Sequence, residues 1–158
     1  MFRKLTRIKQ ALSPSECEGV LRTALRGTLA LNGEEGYPYA LPVNHYYDAE
    51  ARTIYFHSGK TGYKVDCLDR SDKACFTVID DGERREGEWW LTFRSVVAFG
   101  RVARIEDAAT IERISRALSR KFTKDEVYID REVEKYAPAT LLLALRIEDL
   151  QGKIVREK

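Results

Sequence analysis

The chain is poor in the residues that build metal centres and disulfide frameworks. Its 158 residues include three cysteines and two histidines. The cysteines, Cys17, Cys67 and Cys75, are odd in number and contain no Cys-x-x-Cys pair, which argues against a disulfide framework and against a structural zinc site. No cluster of carboxylates is spaced around His45 or His57 in the sequence, so we expect no metal centre.

The chain also lacks a long apolar run and a strong net charge. No run approaches the roughly 20 apolar residues that cross a bilayer, and Met1–Leu5 is too polar for a signal peptide. There are 27 Lys and Arg against 25 Asp and Glu, so the basic surplus typical of a polyanion-binding protein is missing. With 44% apolar and 33% charged residues, the composition indicates a folded chain. We expect one cytoplasmic domain over residues 1–158 that binds neither a membrane nor nucleic acid.

Sequence patterns predict six strands and a few helices. Ser13 and Glu16 form a capping box at one helix start, and Asp107 is expected to cap another. Pro38 and Pro42 lack an N–H group, so we expect their strand at a sheet edge or with a bulge near Pro42. The predicted strands cover 28–31, 37–47, 53–58, 73–79, 89–105 (broken around 93–95) and 141–147, with further helices at 63–70 and 130–136. This order favours a mainly β (α+β) fold, a small closed barrel with flanking helices.

The most informative segment begins at Ile54 and reads IYFHSGKTGYK. A strand there passes through a glycine-containing loop into a helix, a junction that presents free N–H groups and the positive end of a helix dipole. Lys60 and Lys64 add ammonium groups, and Ser58 and Thr61 add hydroxyl donors, a combination that suits a phosphate monoester. The alternative is a solvated turn whose lysines face water. A nucleotide-binding P-loop is excluded because Ile54 occupies the position of its first glycine.

Three segments carry a family resemblance. Residues 39–47 (YALPVNHYY), 54–64 and 93–100 (FRSVVAFG) resemble successive blocks of the pyridoxamine 5′-phosphate oxidase-related flavoproteins, and are most similar to the nitroimidazole-reductase-like branch. The resemblance implies an FMN-binding split β-barrel with six antiparallel strands and flanking helices. It also implies a homodimer that holds the flavin at the subunit interface and acts on a small-molecule substrate.

The resemblance also implies a set of FMN-binding residues. These are Pro42, Val43 and Asn44 along the isoalloxazine edge, Phe56, His57 and Ser58 beside the ring and ribityl chain, Lys60, Thr61 and Lys64 at the 5′-phosphate, and Ser95 and Val96 at the rim. Trp90 or Arg94 would reach across from the second copy.

Two roles are open for His57. The resemblance makes it the catalytic candidate, because a histidine at this strand end is associated with the active site of the nitroimidazole-reductase-like branch; alternatively its ring fills space beside the phosphate arm. His45 is expected to pack on a strand face. The vitamin B6 oxidase carries cations on the strand matched by residues 41–44 and an arginine at the position of Tyr63. The resemblance therefore favours flavin binding over vitamin B6 oxidation.

Three functions are compatible with these features. The first is an FMN-dependent oxidoreductase that passes electrons from a reduced donor to a small oxidised acceptor, such as a nitroaromatic or a quinone. The second is the same barrel holding a flavin or haem without turnover, since His57 is the one candidate acid–base group. The third is a nucleic-acid-binding barrel with Tyr46, Tyr47 and Tyr55 as stacking residues, and the small net charge counts against it.

Overall fold

The computed structural model describes residues 1–157, in which most of the chain lies in strands and helices. The helices are α1 (Pro14–Thr23), α2 (Tyr63–Arg70), α3 (Ala108–Ser119) and α4 (Glu126–Tyr136). The strands are β1 (Arg26–Asn32), β2 (Pro38–Asn44), β3 (Tyr46–Asp48), β4 (Thr53–Ser58), β5 (Lys73–Ile79), β6 (Thr92–Ile105) and β7 (Leu141–Arg156). None of the helices in this part of the chain combines the length and apolar character required to cross a bilayer.

The strands form one antiparallel sheet in the order β2-β1-β5-β6-β7-β4-β3. The sheet curls until β2 approaches β4, and the apolar side chains inside the curl form the main core with α1. Because β7 lies between β6 and β4, the β3–β4 pair joins the rest of the sheet through β7. The fold is therefore a mainly β split barrel with flanking helices, as predicted.

The prediction of six strands was wrong, because the predicted strand over residues 37–47 is divided at His45. His45 is fully buried between β2 and β3, and its Nε2 lies 2.8 Å from the carbonyl oxygen of Leu21 at the end of α1. The Nζ of Lys121 donates to the main-chain oxygens of His45 (2.9 Å) and Ala24 (2.7 Å). These contacts turn the chain inward at His45, so that it leaves β2 and enters β3.

Of the two alternatives expected for the strand of Pro38 and Pro42, the structure shows the sheet edge and no bulge near Pro42. Pro42 pairs with Thr28 in an unbroken register that runs from Arg26↔Asn44 to Asn32↔Pro38. Strand β2 lies at the sheet edge, as expected. An edge strand is hydrogen-bonded to a neighbour on one side only, so a proline whose nitrogen faces the open side removes no hydrogen bond from the sheet.

The long strand β6 is unbroken at residues 93–95, where a break was expected, and its irregularity lies further along between Phe99 and Gly100. At Gly100 the carbonyl oxygen of Arg146 comes so close that a Cβ atom would lie 1.9 Å from it. Helix α4 also begins earlier than the predicted residue 130, because the Asp125 side chain accepts a hydrogen bond from the N–H of Tyr128.

The outer face of the sheet has a covered half and an uncovered half. Helix α3 covers the half built by β4 and the adjoining parts of β6 and β7, where a second apolar cluster forms. On the other half, directly paired residues form two rows of small or apolar side chains. One row contains Ala40, Ala30, Cys75 and Phe99, and the other contains Pro42, Thr28, Thr77 and Val97. No helix packs on these rows within residues 1–157, and Phe2 stacks on Phe99 at their end.

Candidate functional site

The loop between β4 and α2 has the backbone geometry of an anion site. Gly62, the residue before the first turn of α2, has a φ of 116°, a left-handed value that glycine adopts without strain. Its carbonyl oxygen accepts the N–H groups of Val65 (2.8 Å) and Asp66 (3.1 Å). The N–H groups of Tyr63 and Lys64 precede these bonds and have no helical acceptor, so they stay available to a ligand.

Lys60 and Lys64 bring positive charge to this loop. Lys64 is half-buried, and desolvation lowers the pKa of its ammonium group. Lys60 is exposed, and its Nζ donates to the carbonyl oxygen of Pro138 at 2.9 Å. Every ion pair within residues 1–157 involves other cations, so neither lysine is neutralised by a carboxylate. The loop therefore carries two positive charges that no carboxylate compensates, beside the free N–H groups. Of the two predicted hydroxyl donors, Thr61 is exposed, whereas the Ser58 hydroxyl already donates to the Gly59 carbonyl oxygen at 2.9 Å.

His57 lies on the outer face of β4, under α3. It is paired with Leu142 of β7, and its Nε2 lies 2.9 Å from Oγ of Ser115, a buried residue of α3. One edge of the ring stays open to solvent, while the surrounding protein lowers the pKa of His57 by desolvation. His57 is thus neutral near neutral pH and held by a single protein partner.

Two of the predicted cofactor contacts, Phe56 and Val96, have side chains that point into the barrel core. Both are fully buried, because alternate residues of a strand face opposite sides of the sheet. Their side chains can support a site from behind, and their backbone atoms are the part left to contact a ligand.

The remaining sheet residues of the prediction are divided between the two faces. Pro42 and Asn44 are exposed on the outer face of β2, whereas Val43 turns inward and packs against the core. Ser95 is half-buried on the outer face of β6, paired with Ile79. The structure therefore places Pro42 and Ser95 on the uncovered outer half, and His57 on the half under α3.

Trp90 or Arg94 was expected to reach a second copy. The Arg94 guanidinium is paired within its own chain, with Nη1 3.2 Å from Oδ2 of Asp80. Trp90 packs edge-on against Trp89 with ring centroids 6.1 Å apart, and Trp89 is 71% exposed. In the segment just before β6, the tryptophan pair therefore exposes apolar surface.

Tyr63 stands where the family resemblance led us to expect an arginine, and it has a structural role here. Its hydroxyl accepts the N–H of Glu34 at 2.9 Å, and its ring lies 4.6 Å from that of Tyr39. The guanidinium of Arg70 lies over the same ring. These contacts attach the start of α2 to the loop before β2.

A cavity of about 880 Å³ lies on the other side of Lys60, between α3, α4 and the end of the sheet. Lys60, Arg104 and Arg116 line it together with Glu106, Glu112, Asp130 and Glu134. Arg116 is paired with Glu112 and Asp130, and Arg104 with Asp69. Because carboxylates outnumber the cations, this cavity suits a phosphate less well than the loop before α2 does.

Two residues of this region were missed by the sequence analysis. Ser115 is the buried partner of His57, and Lys121 holds the main chain at His45. The sequence signal for Ser115 is a polar residue next to Ile114 on the apolar stripe of α3. For Lys121 there is no local signal, because its acceptors are 97 and 76 positions away.

Many solved structures share this fold. A candidate 5-nitroimidazole antibiotic resistance protein from Bacteroides thetaiotaomicron has a TM-score of 0.76 and 21% identity, over 91% of this chain and 86% of that one. An FAD-binding protein from Mesorhizobium loti has a TM-score of 0.67 and 21% identity, over 92% and 97%. An FAD- and haem-binding protein from Mycobacterium smegmatis has a TM-score of 0.71 and 23% identity, over 95% and 74%. At these identities, the likeness shows a shared split-barrel fold.

The family is given by the sequence itself. A model of the pyridoxamine 5′-phosphate oxidase family matches residues 13–154, and the chain therefore belongs to this family. A comparison with curated proteins gave no match.

Proposed function

We propose that the protein binds FMN and works as an oxidoreductase on a small-molecule substrate. The observation that carries the proposal is the loop before α2, where, within residues 1–157, Lys60 and Lys64 have no carboxylate partner and the N–H groups of Tyr63 and Lys64 have no acceptor. A phosphate monoester near neutral pH carries almost two negative charges, and this loop supplies charge and donors of the matching kind.

The residues present fit the cofactor in two ways. Lys60, Lys64 and the start of α2 would hold the 5′-phosphate, and His57 would face the ring side with its open edge. FMN supplies the electron-accepting ring when it is bound, while the chain provides binding, orientation and a hydrogen-bonding group. Of the two histidines, His57 is the one that is close to this loop and exposed, because His45 is buried in the core.

We also propose that two copies associate through the uncovered half of the outer face. Exposed contiguous apolar surface of this kind marks interaction sites. The two rows that contain Ala30 and Thr28 hold small side chains that let another sheet approach closely, and Ile79 at their margin is 53% exposed. Pro42 and Ser95 lie on the same half, so association there would bring these predicted cofactor contacts to the interface. The cytoplasmic location and the single domain expected from the sequence stay predictions.

The test of the phosphate assignment compares FMN with riboflavin, which lacks the phosphate. Replacing Lys60 and Lys64 together by Ala should weaken FMN binding about 100-fold or more, because each lost charge-assisted hydrogen bond costs about 1.5–3 kcal/mol. Riboflavin affinity should stay within about threefold, since the riboflavin ring contacts are kept. The matched control is Lys73→Ala, an exposed lysine on β5. Equal losses for both ligands would show that the lysines act elsewhere.

The same titration series decides between FMN and FAD. A site built for a terminal phosphate monoester binds FMN more tightly than FAD, whose phosphates are bridged to adenosine. Tighter binding of FAD would keep the flavin assignment and overturn the FMN assignment.

A second candidate function is flavin or haem binding without turnover, which the thin inventory of acid–base groups favours. Bound flavin would be reduced without oxygen and then mixed with nitroaromatic or quinone acceptors. An oxidoreductase should reoxidise much faster than free reduced FMN, and His57→Gln should slow that step. Reoxidation no faster than that of free FMN would assign the protein to the binding class.

A further inference from the structure

Ser115 lies in the second half of α3 and directs its hydroxyl toward β4. Its Oγ is 2.9 Å from Nε2 of His57, across 58 positions of sequence. Ser115 is 4% exposed, whereas His57 is an exposed residue. A buried hydroxyl therefore holds one nitrogen of the ring, and within residues 1–157 the other nitrogen, Nδ1, has no hydrogen-bond partner. Of the two ring nitrogens, Nδ1 is therefore the one left for a bound molecule.

The direction of this hydrogen bond follows from the surroundings of Ser115. If Nε2 carried the proton, Ser115 would accept it and its own O–H would need another acceptor. On a helix that acceptor is normally the carbonyl four residues back, as shown in α1 by Thr23, whose Oγ1 lies 3.0 Å from the Gly19 carbonyl oxygen. Ser115 makes no such bond within residues 1–157, where His57 is its side-chain partner.

A buried O–H group without an acceptor destabilises the fold, so the hydroxyl of Ser115 donates to Nε2. A neutral imidazole carries one N–H group and one acceptor nitrogen. When Nε2 accepts, the proton of the neutral ring must be on Nδ1. Burial lowers the pKa of His57, which keeps the ring in this neutral form near neutral pH.

We propose that Ser115 is a positioning residue that holds His57 as the Nδ1–H tautomer and thereby presents an N–H donor to the ligand beside β4. A donor at this point favours a substrate group that accepts a hydrogen bond, such as an oxygen of a nitro or carbonyl group, over a group that cannot accept one. The statement about the substrate rests on the proposed function, whereas the tautomer does not.

The tautomer can be measured by long-range ¹H–¹⁵N NMR of the ¹⁵N-labelled full chain at mildly alkaline pH. The chain has two histidines, and His57→Gln assigns the signals of each. The Nδ1 of His57 should show the chemical shift of a protonated ring nitrogen, and Nε2 that of an unprotonated one. The opposite pattern in the wild-type protein would overturn the proposal, whether or not any variant folds.

Three variants of α3 test whether Ser115 causes the preference. Ser115→Ala should move His57 toward the Nε2–H tautomer that histidine favours in water, and Ser115→Thr, which keeps a hydroxyl, should restore Nδ1–H. Ser119→Ala, one turn further along α3, should change nothing. The signals of His45 should stay constant in all three variants. An unchanged His57 tautomer in Ser115→Ala would overturn the role of Ser115.

The substrate class is tested separately on the flavin-loaded protein with two neutral ligands of similar shape. Relative to cumene, a hydrocarbon of similar shape that has no acceptor, nitrobenzene should gain about tenfold in affinity, because its oxygens accept from Nδ1–H. This preference should disappear in Ser115→Ala and return in Ser115→Thr. Failure to bind flavin would overturn the proposed function and leave the NMR result standing, whereas flavin binding with the opposite tautomer would overturn the role of Ser115 alone.

Discussion

Mild acid should destabilise the protein through His45. The ring is fully buried, and burial together with the nearby ammonium of Lys121 lowers its pKa from 6.5 to about 4. Between these two values the unfolded chain binds a proton on His45 that the folded chain does not bind. The free energy of unfolding therefore falls as the pH falls from 6.5 toward 4, and the stabilisation is complete above 6.5.

The size of the effect follows from the same two pKa values. Crossing the whole window costs about 3 kcal/mol, and the step from about pH 7 to about pH 5 costs about 2 kcal/mol. Carboxyl groups with lowered pKa values, such as Glu16 and Asp107, act below about pH 5 and leave this step almost undisturbed. His57 also titrates below its ordinary value and must be removed to isolate the contribution of His45.

Urea unfolding followed by circular dichroism at the two pH values measures this difference. In His57→Gln, which keeps His45, the unfolding free energy should fall by about 2 kcal/mol on acidification. The double variant, His57→Gln with His45→Gln, should be less stable at neutral pH. Its unfolding free energy should change little on acidification. If both variants lost the same free energy, the reasoning about the buried ring would be wrong.

Two further predictions concern the sheet and its uncovered face. Gly100→Ala should destabilise the protein by about 2–3 kcal/mol because its Cβ would meet the Arg146 carbonyl oxygen, whereas Gly19→Ala, in open space on α1, should stabilise it by about 0.5–1 kcal/mol. Urea unfolding measures the change in unfolding free energy in both variants. A change of the same sign in both would contradict the packing argument. Thr77→Arg should convert a dimer to a monomer in sedimentation equilibrium, while Thr23→Arg, at an exposed position of α1, should not. A monomeric wild-type protein, or a dimeric Thr77→Arg variant, would exclude association through this face.

Much of the fold could be predicted from local patterns. The strands at 53–58 and 73–79 and the helix at 63–70 have the predicted bounds, because alternation and helix-start signals are properties of neighbouring residues. The division of the strand at His45 could not be predicted, because it depends on Leu21 and Lys121, which are distant in sequence. Tertiary hydrogen bonds overrode a continuous strand pattern there.

The candidate site shows the same division between local and distant information. The loop of Lys60 and Lys64 could be predicted because a glycine-containing turn before a helix is a local feature. Strand alternation, applied more strictly, places Phe56 on the inner face, between Tyr55 and His57 on the outer one. The partner of His57 could not be predicted, because Ser115 reaches it only when α3 packs across β4.

The position of β7 in the sheet has a consequence for synthesis on the ribosome. β7 is the last of these seven strands in chain order, and β4 is joined to β6 only through β7. While β7 is still in the exit tunnel, β1, β2, β5 and β6 can pair with one another, but β3 and β4 have only each other. Long-range pairing of this kind is slow, and unpaired strand edges in nascent chains are prone to aggregate. Premature termination before Leu141 therefore leaves β3 and β4, the strand pair that contains His57, without a neighbouring strand in the sheet.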